Sequence, residues 1–445
     1  MISATLARRA TPAALPLAVR LRLELATVAG NVAAFASRLA NKGSGASIRG
    51  QVLTRIEPQA FSLLVRGRRI VAVSGTNGKT TTTHLLAAAI RAGLGGESGR
   101  MVTNADGANL HYGIASALSQ ARRADIAVLE TDERVVSDMI AHGRPEILVL
   151  LNFSRDQLDR HHEIKALGRS WRIALERAGE AGPTVIANAD DPLVVWAAGT
   201  AAHVVWVNTA TLWNADAALC PACGTVLRRV NQSDGDNGTW DCPGCELTQP
   251  PASYVVGDGS IRLPDGSIVT PELQVPGSFN VSNAACALAA AIEFGVDPSV
   301  AVMGMRTVTA PAGRFASATF AGTTVRLLLA KNPAGWAEAL PLAASDPVIL
   351  AIDSVAADGK DVSWLWDVEY EQLAGRTVIA TGPRAQDLAV RLSYAGVEHV
   401  AVPDLREAIS AAGGAPRRSG SPPGAIDLIA TYTPFQKLLK LAGLR

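Results

Sequence analysis

Val71-Ala-Val-Ser-Gly-Thr-Asn-Gly-Lys-Thr-Thr81 is the stretch around which the rest of the chain is ordered. The apolar, β-branched residues 70–73 predict a short buried strand. It breaks at Ser74-Gly75, turns through Thr76-Asn77-Gly78 and enters an Ala- and Leu-rich helix expected over residues 80–91. A strand, a glycine turn and a helix N-terminus together form an anion site. Backbone N–H groups point into the loop, and the helix dipole adds partial positive charge. Lys79 has the reach to meet the terminal phosphates of a nucleotide, and the Thr80 hydroxyl is placed for Mg²⁺. The general phosphate-loop pattern has a glycine where this chain has Val73. Here the glycine comes later, at Gly75.

The bulk properties bound the problem. A length of 445 residues implies two or three domains. Hydrophobic residues at 48% and charged residues at 18% describe a soluble globular chain with ample core. Lysine and arginine number 41 against 40 acidic residues, so the formal charge of +1 gives nucleic acid no electrostatic reason to bind. No apolar run is long enough to predict a transmembrane segment. Arg8 and Arg9 precede an apolar patch at 13–19, but Arg20, Arg22 and Glu24 interrupt it too early for a signal peptide. A cytoplasmic protein is expected.

Around the loop, predicted strands alternate with helices, which implies a mostly parallel sheet covered on both faces. Residues 15–39 carry apolar positions at helical spacing, and this amphipathic helix is expected to pack its apolar face on the body of the protein rather than on a membrane. Residues 47–58 read as a linker. Strands are expected at 124–130, ending at Glu130, and at 147–151 and 184–187. Glu130 therefore stands at a strand's carboxyl end, where ligands of open α/β sheets gather, and is the candidate magnesium carboxylate beside Thr80. A polar, Gly/Asn/Asp-rich run at 208–254 interrupts the rhythm as an insertion. The sheet domain resumes at 273–280 with a helix over 281–294. A last α/β domain has strands near 325–329, 348–352 and 378–380, and 412–424 reads as an exposed loop. The expected domains are 1–45, an N-terminal helix; 46–310, an ATP-binding domain with a zinc ribbon inserted at 213–250; and 311–445.

Four of the five cysteines fall in two close pairs, Cys220-Pro-Ala-Cys223 and Cys242-Pro-Gly-Cys245. Two such knuckles offer four thiolates for a closed tetrahedral Zn²⁺ site with a structural role. Paired cysteines on two unrelated turns are the alternative. The ribbon lacks the basic and aromatic dressing of a nucleic-acid binder, Arg228 and Arg229 alone being insufficient.

Gly75-Thr76-Asn77-Gly78-Lys79-Thr80-Thr81 resembles the nucleotide loop of the Mur ligase family, the ATP-dependent amide ligases of peptidoglycan synthesis and their folylpolyglutamate synthase relatives. The resemblance implies a Mur ligase-like central parallel-sheet P-loop domain followed by a Rossmann-like C-terminal α/β domain. It also implies that this loop cradles ATP and that Glu130 is the magnesium-binding glutamate. Asn280, in Gly277-Ser-Phe-Asn-Val-Ser-Asn283, would contact adenine, and Arg314 would be the linker arginine that meets the nucleotide. Asn152-x-x-Arg-Asp-x-Leu-Asp-x-His161 resembles the family signature but departs from it. Gln157 stands where a metal-binding histidine is usual, and Trp171 where the family has a modified lysine, which puts a second metal site in question. The chain before the loop is also too short for the domain that usually grips uridine diphosphate.

Three stretches of the last domain, Ala330-Lys-Asn-Pro-Ala-Gly335, Asp358-Gly-Lys-Asp-Val-Ser-Trp-Leu-Trp-Asp367 and Ala380-Thr-Gly-Pro-Arg-Ala-Gln-Asp387, resemble a branch of the family that works with a separate GatD-like glutaminase subunit. That branch amidates lipid II, converting the α-carboxylate of its D-glutamate to D-isoglutamine through an acyl phosphate, with ammonia supplied by the partner. The resemblance implies a heterodimer working at the inner face of the cell membrane. It also implies an aspartate that completes the partner's Cys-His pair, Asp361 or alternatively Asp358. Cys286, the cysteine outside the zinc pairs, lies in an Ala-rich helix and reads as core. An amino-acid-adding ligase and a non-catalytic nucleotide-binding scaffold are the competing readings. The missing histidine and lysine weigh against the first, and intact Lys79, Thr80 and Glu130 against the second.

Overall fold

The computed structural model describes residues 15–39, 45–104, 108–155, 164–210, 215–230, 239–309, 315–355, 358–414 and 425–444. The chain divides into two compact units: Met1–Phe153 with Glu163–Gln274 and Ser278–Thr309, and Ser154–His162 with Val275–Gly277 and Ala310–Arg445.

The first unit opens with three helices, α1 (Leu17–Leu39), α2 (Ala46–Ile56) and α3 (Ala60–Val65). The α/β body then runs β1 (Arg69–Ser74), α4 (Lys79–Leu94), β2 (Met101–Thr103), α5 (His111–Gln120), β3 (Ile126–Glu130), the single turn α6 (Val136–Asp138), β4 (Ile147–Leu150), α7 (Ile164–Ala178), β5 (Thr184–Asn188), α8 (Pro192–Ala198) and β6 (His203–Asn208). A small hairpin, β7 (Arg228–Val230) with β8 (Thr239–Asp241), precedes β9 (Tyr254–Gly257), β10 (Ser260–Arg262) and β11 (Ile268–Val269). Helices α9 (Phe279–Glu293) and α10 (Pro298–Met305) close the unit.

The main sheet has the order β11-β10-β9-β6-β5-β4-β1-β3-β2. Strands β1 to β6 are joined in parallel, while β9, β10 and β11 form an antiparallel edge. Every residue of β1 is buried. Successive side chains of a strand point to opposite faces, and β1 divides accordingly. Val71 and Val73 enter a core shared with α4 and α9, whereas Ile70 and Ala72 enter another with α5 and α7. Burial on both faces explains why this strand reads as a continuous apolar run and not as an alternating one. Helices α8 and α10 each begin at an aspartate followed by proline. The Asp191 and Asp297 carboxylates accept the first free backbone N–H groups, and proline supplies a helical φ at N1.

Two sequence expectations are corrected here. Residues 47–58 are mostly the helix α2, because Leu53 is fully buried and Gly50 lies so close to Tyr112 of α5 that no side chain would fit. In α1 it is the small residues Ala26, Gly30 and Ala34 that face inward. A Cβ on Gly30 would stand 2.9 Å from the Arg49 carbonyl oxygen of α2. Close helix packing thus selects the small stripe, and the larger apolar residues of α1 point outward.

The second unit comprises β12 (Phe315–Phe320), β13 (Thr323–Leu329), α11 (Pro333–Ala339), β14 (Val348–Ala351), β15 (Thr377–Thr381), α12 (Ala385–Tyr394), β16 (Glu398–Ala401), α13 (Leu405–Gly414), β17 (Ile426–Ala430) and α14 (Tyr432–Leu441). Its sheet order is β12-β13-β17-β14-β15-β16, parallel except for the β12–β13 hairpin. Alternation again splits a central strand. Leu350 packs with Trp336 and Tyr370 on one face, and Ile349 with Phe435 on the other.

Candidate active site

Strand β1 sends the chain to β2 and β3 on one side of itself, and β4 continues the sheet on the other. The carboxyl ends of β1 and β4 therefore flank the point where strand order reverses, the place where open α/β sheets bind ligands. Gly75 leaves β1 at φ 141°, and a Cβ there would lie 2.8 Å from the Leu151 side chain. Gly78 enters α4 at φ 82°, where a Cβ would collide with the Asn283 side-chain oxygen. Both positions thus require glycine, by backbone conformation and by space. Helix α4 starts at Lys79 with no side-chain cap and no acidic residue in its first turn, so its positive end is kept for a ligand anion.

Asn152, at the end of β4, ties the loop down. Its backbone oxygen accepts from Thr76 N–H at 2.9 Å, its Oδ1 from Asn77 N–H at 2.9 Å, and its Nδ2 donates to the Asn77 carbonyl at 3.2 Å. The sequence placed Asn152 only as the first residue of a family signature, and its clamping role emerges from the fold. An Asn152→Ala chain is expected to weaken ATP binding by roughly tenfold, since a loop that has lost both side-chain contacts of Asn152 must order itself on the nucleotide. Isothermal titration with a non-hydrolysable nucleotide measures this.

Lys79 Nζ donates to the carbonyls of Gly75 and Thr76, the latter at 3.1 Å, and to Glu133 Oε2 at 3.2 Å. Glu133 was not singled out in the sequence, although it ends the Glu130-Thr-Asp-Glu133 run. Its backbone oxygen accepts from Trp171 Nε1–H at 2.8 Å, and Trp171 is fully buried against Phe153. Trp171, where the resemblance implies a lysine, is therefore a core residue that braces the carboxylate next to Lys79.

Glu130 pairs in register with Val73, which sets it beside the root of the loop. It is buried, and its Oε1 accepts from Asn109 Nδ2 at 3.0 Å. Asn104 grips its backbone on both sides, donating to the Glu130 carbonyl at 2.7 Å and accepting from its N–H at 2.8 Å. A fixed carboxylate at the root of the phosphate loop suits a hard cation that takes few protein ligands and keeps its waters. Asn283 Nδ2 donates to Asn280 Oδ1 at 3.0 Å, and Asn283 Oδ1 accepts from Thr82 of α4 at 3.3 Å. The asparagines of α9 thus stand against the loop helix. Arg314, Gln157 and His161 lie outside the described residues.

The four cysteines come together, with all Sγ atoms within 4.8 Å of one another. Cys220–Cys245 and Cys223–Cys242 separations are 3.6 Å and 3.4 Å. Tetrahedral Zn–S bonds would place sulfurs about 3.8 Å apart, so the donor set fits zinc and leaves no open position. Trp240 of the hairpin donates through Nε1 to the Ala189 carbonyl at 3.1 Å and packs with Val195 and Leu227, which roots the ribbon on the sheet. Purified chain is expected to carry about one zinc, and Cys242→Ser to lose it together with the order of the ribbon. Metal analysis and the thermal midpoint report both changes.

Cys286 is fully buried in α9, and burial pushes its thiol up to about 12, which makes it a core residue and not a nucleophile. In the second unit, the loop after β14 holds both candidate aspartates. Asp358 is buried, with Oδ1 accepting from Thr433 N–H at 2.7 Å and Oδ2 without a partner among the described residues. Asp361 is exposed and accepts from Ser363 N–H at 2.8 Å, a contact that holds its carboxyl below the usual range.

Residues 73–219 match the Mur ligase middle domain, and residues 329–435 the MurT ligase C-terminal domain. The chain is 29% identical over 393 residues to the lipid II isoglutaminyl synthase (glutamine-hydrolyzing) subunit MurT of Staphylococcus aureus strain N315, covering 81% of this chain and 87% of that one. It is 28% identical over 405 residues to the Streptococcus pneumoniae protein of the same name, covering 85% and 88%. Among solved structures, a pseudomurein peptide ligase type C from Methanothermus fervidus superposes with a TM-score of 0.59 at 18% identity, covering 85% of this chain and 79% of the other.

Proposed function

Because this chain is a Mur ligase-type protein with a MurT-type C-terminal domain, we propose that it is the synthase subunit of a lipid II isoglutaminyl synthase. It would amidate the α-carboxylate of D-glutamate in the lipid II stem peptide, using ATP and ammonia. The observation that carries this reading is the phosphate loop itself. Gly75 and Gly78 permit its path, Asn152 clamps it, and Lys79 lies at its mouth beside Glu133.

In this reading the loop N–H groups and the α4 N-terminus hold the phosphates of ATP, and Lys79 leaves the loop carbonyls to follow charge onto the transferring phosphoryl group. Mg²⁺, held by Thr80 and Glu130, would supply charge neutralisation on the phosphate oxygens. Asn280 would meet the adenine end, and Arg314 would meet the nucleotide from the linker. The carboxylate oxygen would attack the γ-phosphorus of ATP and displace ADP, and ammonia would then attack the acyl carbon, losing a proton as phosphate departs to leave the amide. Buried Cys286 offers no nucleophile for glutamine hydrolysis, which supports a separate GatD-like subunit as the ammonia source. Asp361 would complete that subunit's Cys-His pair.

The test incubates the chain with lipid II, Mg²⁺-ATP and ammonium salt, then repeats the reaction with glutamine with and without a co-expressed glutaminase. Expected are amidated product with ammonium from the chain alone, and product with glutamine only when the partner is present. Release of ammonia from glutamine by the isolated chain would refute the division of labour, and absence of ATP-dependent product in every arm would refute the ligase assignment.

A further inference from the structure

Helix α1 presents an unusual outer face. Leu17, Leu21, Leu25, Val28, Val32, Phe35 and Leu39 are each 51–73% exposed. They recur at steps of three and four residues, so they form one unbroken stripe along the 23-residue helix, about 34 Å long. The stripe does not result from a loose helix. Its opposite face is locked to the body by Ala26, Gly30 and Ala34, by burial of Leu23 against Leu53, and by the Arg22–Glu57 ion pair at 2.6 Å. Isolated exposed leucines need no explanation, but a contiguous patch of seven does.

The charges beside the stripe narrow what covers it. Three of the four charged side chains on α1 are arginines: Arg20, Arg22 and Arg38. The helix's one carboxylate, Glu24, is half-buried and already engaged by Arg20 and by Arg122 of the body, each at 3.4 Å. Arg20 and Arg38 are about five full turns apart and lie on the same flank. Antiparallel pairing of two copies through the stripe would set Arg20 opposite Arg38 of the second copy, with Glu24, already shared by Arg20 and Arg122, as the one carboxylate of α1 on that flank. An apolar ridge flanked by an excess of cations complements an anionic bilayer surface, where leucine, valine and phenylalanine enter the acyl boundary and arginines meet phosphate headgroups. No helix among the described residues is long and apolar enough to cross a membrane, so the contact is one of lying on the surface.

We propose that the outer face of α1 docks this protein in the plane of an anionic lipid bilayer. Its purpose rests on the proposed lipid-linked substrate, since docking would bring the site to a headgroup that does not leave the membrane. The docking itself is read from α1 alone.

The experiment sediments the full chain with vesicles of phosphatidylcholine, with and without phosphatidylglycerol. The chain is expected to bind the phosphatidylglycerol vesicles and to release as salt is raised. Leu25→Gln with Val32→Gln is expected to lower partitioning about tenfold or more. Arg20→Gln with Arg38→Gln should cost about fivefold per arginine and abolish the preference for the anionic lipid. All four positions are exposed, so circular dichroism should be unchanged. Failure to bind either vesicle, or full binding by the Leu25→Gln, Val32→Gln chain, overturns the proposal. So does a dimer in sedimentation velocity that those substitutions dissociate, which would make the stripe a self-interface. Amidation of a short-chain, water-soluble substrate analogue separates the two readings. Its absence with vesicle binding intact refutes the ligase assignment and leaves the docking surface standing.

Discussion

Lys79→Ala is expected to lower amidation on the order of 10³-fold with either nitrogen source, because phosphoryl transfer precedes and does not depend on where ammonia originates. That loss corresponds to about 4 kcal/mol of transition-state stabilisation. The structure gives a reason for a large effect. Lys79 is held by Glu133 and two loop carbonyls, so its removal leaves a half-buried carboxylate facing the incoming phosphates with no cation between them. Repulsion is then added to the lost attraction. The fold should persist, since the Asn152 clamp and the buried strand β1 that carry the loop do not involve the lysine side chain. Thermal melting checks the fold, and phosphate release with ammonium as nitrogen donor checks the chemistry. Turnover within about a factor of ten of the unaltered chain would mean that charge at this site comes from elsewhere.

Asp361→Asn should separate the two half-reactions. Glutamine-driven amidation in the presence of the glutaminase is expected to fall by about 10²–10⁴, the scale for losing the carboxylate that orients a catalytic histidine. Ammonium-driven amidation should be unchanged. The substitution is a clean one because asparagine still offers an oxygen to Ser363 N–H, so the local turn survives and only the charge is removed. That same hydrogen bond holds Asp361 below the usual carboxylate range, which keeps it anionic at any pH where the enzyme would work. Asp358→Asn is the control. Its carboxylate is buried and anchors Thr433, so it should cost roughly 1–3 kcal/mol of stability and depress both nitrogen sources alike. Equal losses from both sources for Asp361→Asn would remove that residue from the partner's site.

Local signals were legible where local chemistry determines structure. The phosphate loop can be read from residues 71–81 because a buried strand, two glycines and a helix start each leave a mark on adjacent positions. The paired cysteines are similar, since two knuckles that close a metal site carry their spacing with them, and their sulfurs do converge. Strands β1, β3, β4 and β5 of the first sheet and β13, β14 and β15 of the second could be recognised as apolar runs because parallel strands are buried on both faces, whereas β17, equally buried, went unrecognised. Short edge strands such as β9 to β11 could not, for strands of four residues or fewer with exposed positions carry too little periodicity.

What the sequence by itself determined was therefore the identity of the loop, the cysteine site and the alternating α/β plan. Tertiary structure alone decided which partners hold them. Asn152 clamps Asn77 across 75 residues, and Glu133 reaches Lys79 across 54, contacts that no local pattern encodes. The same applies to α1. Helical spacing marks two apolar stripes without saying which is inward, and only the close approach of α2 at Gly30 admits the small residues and turns the large ones out.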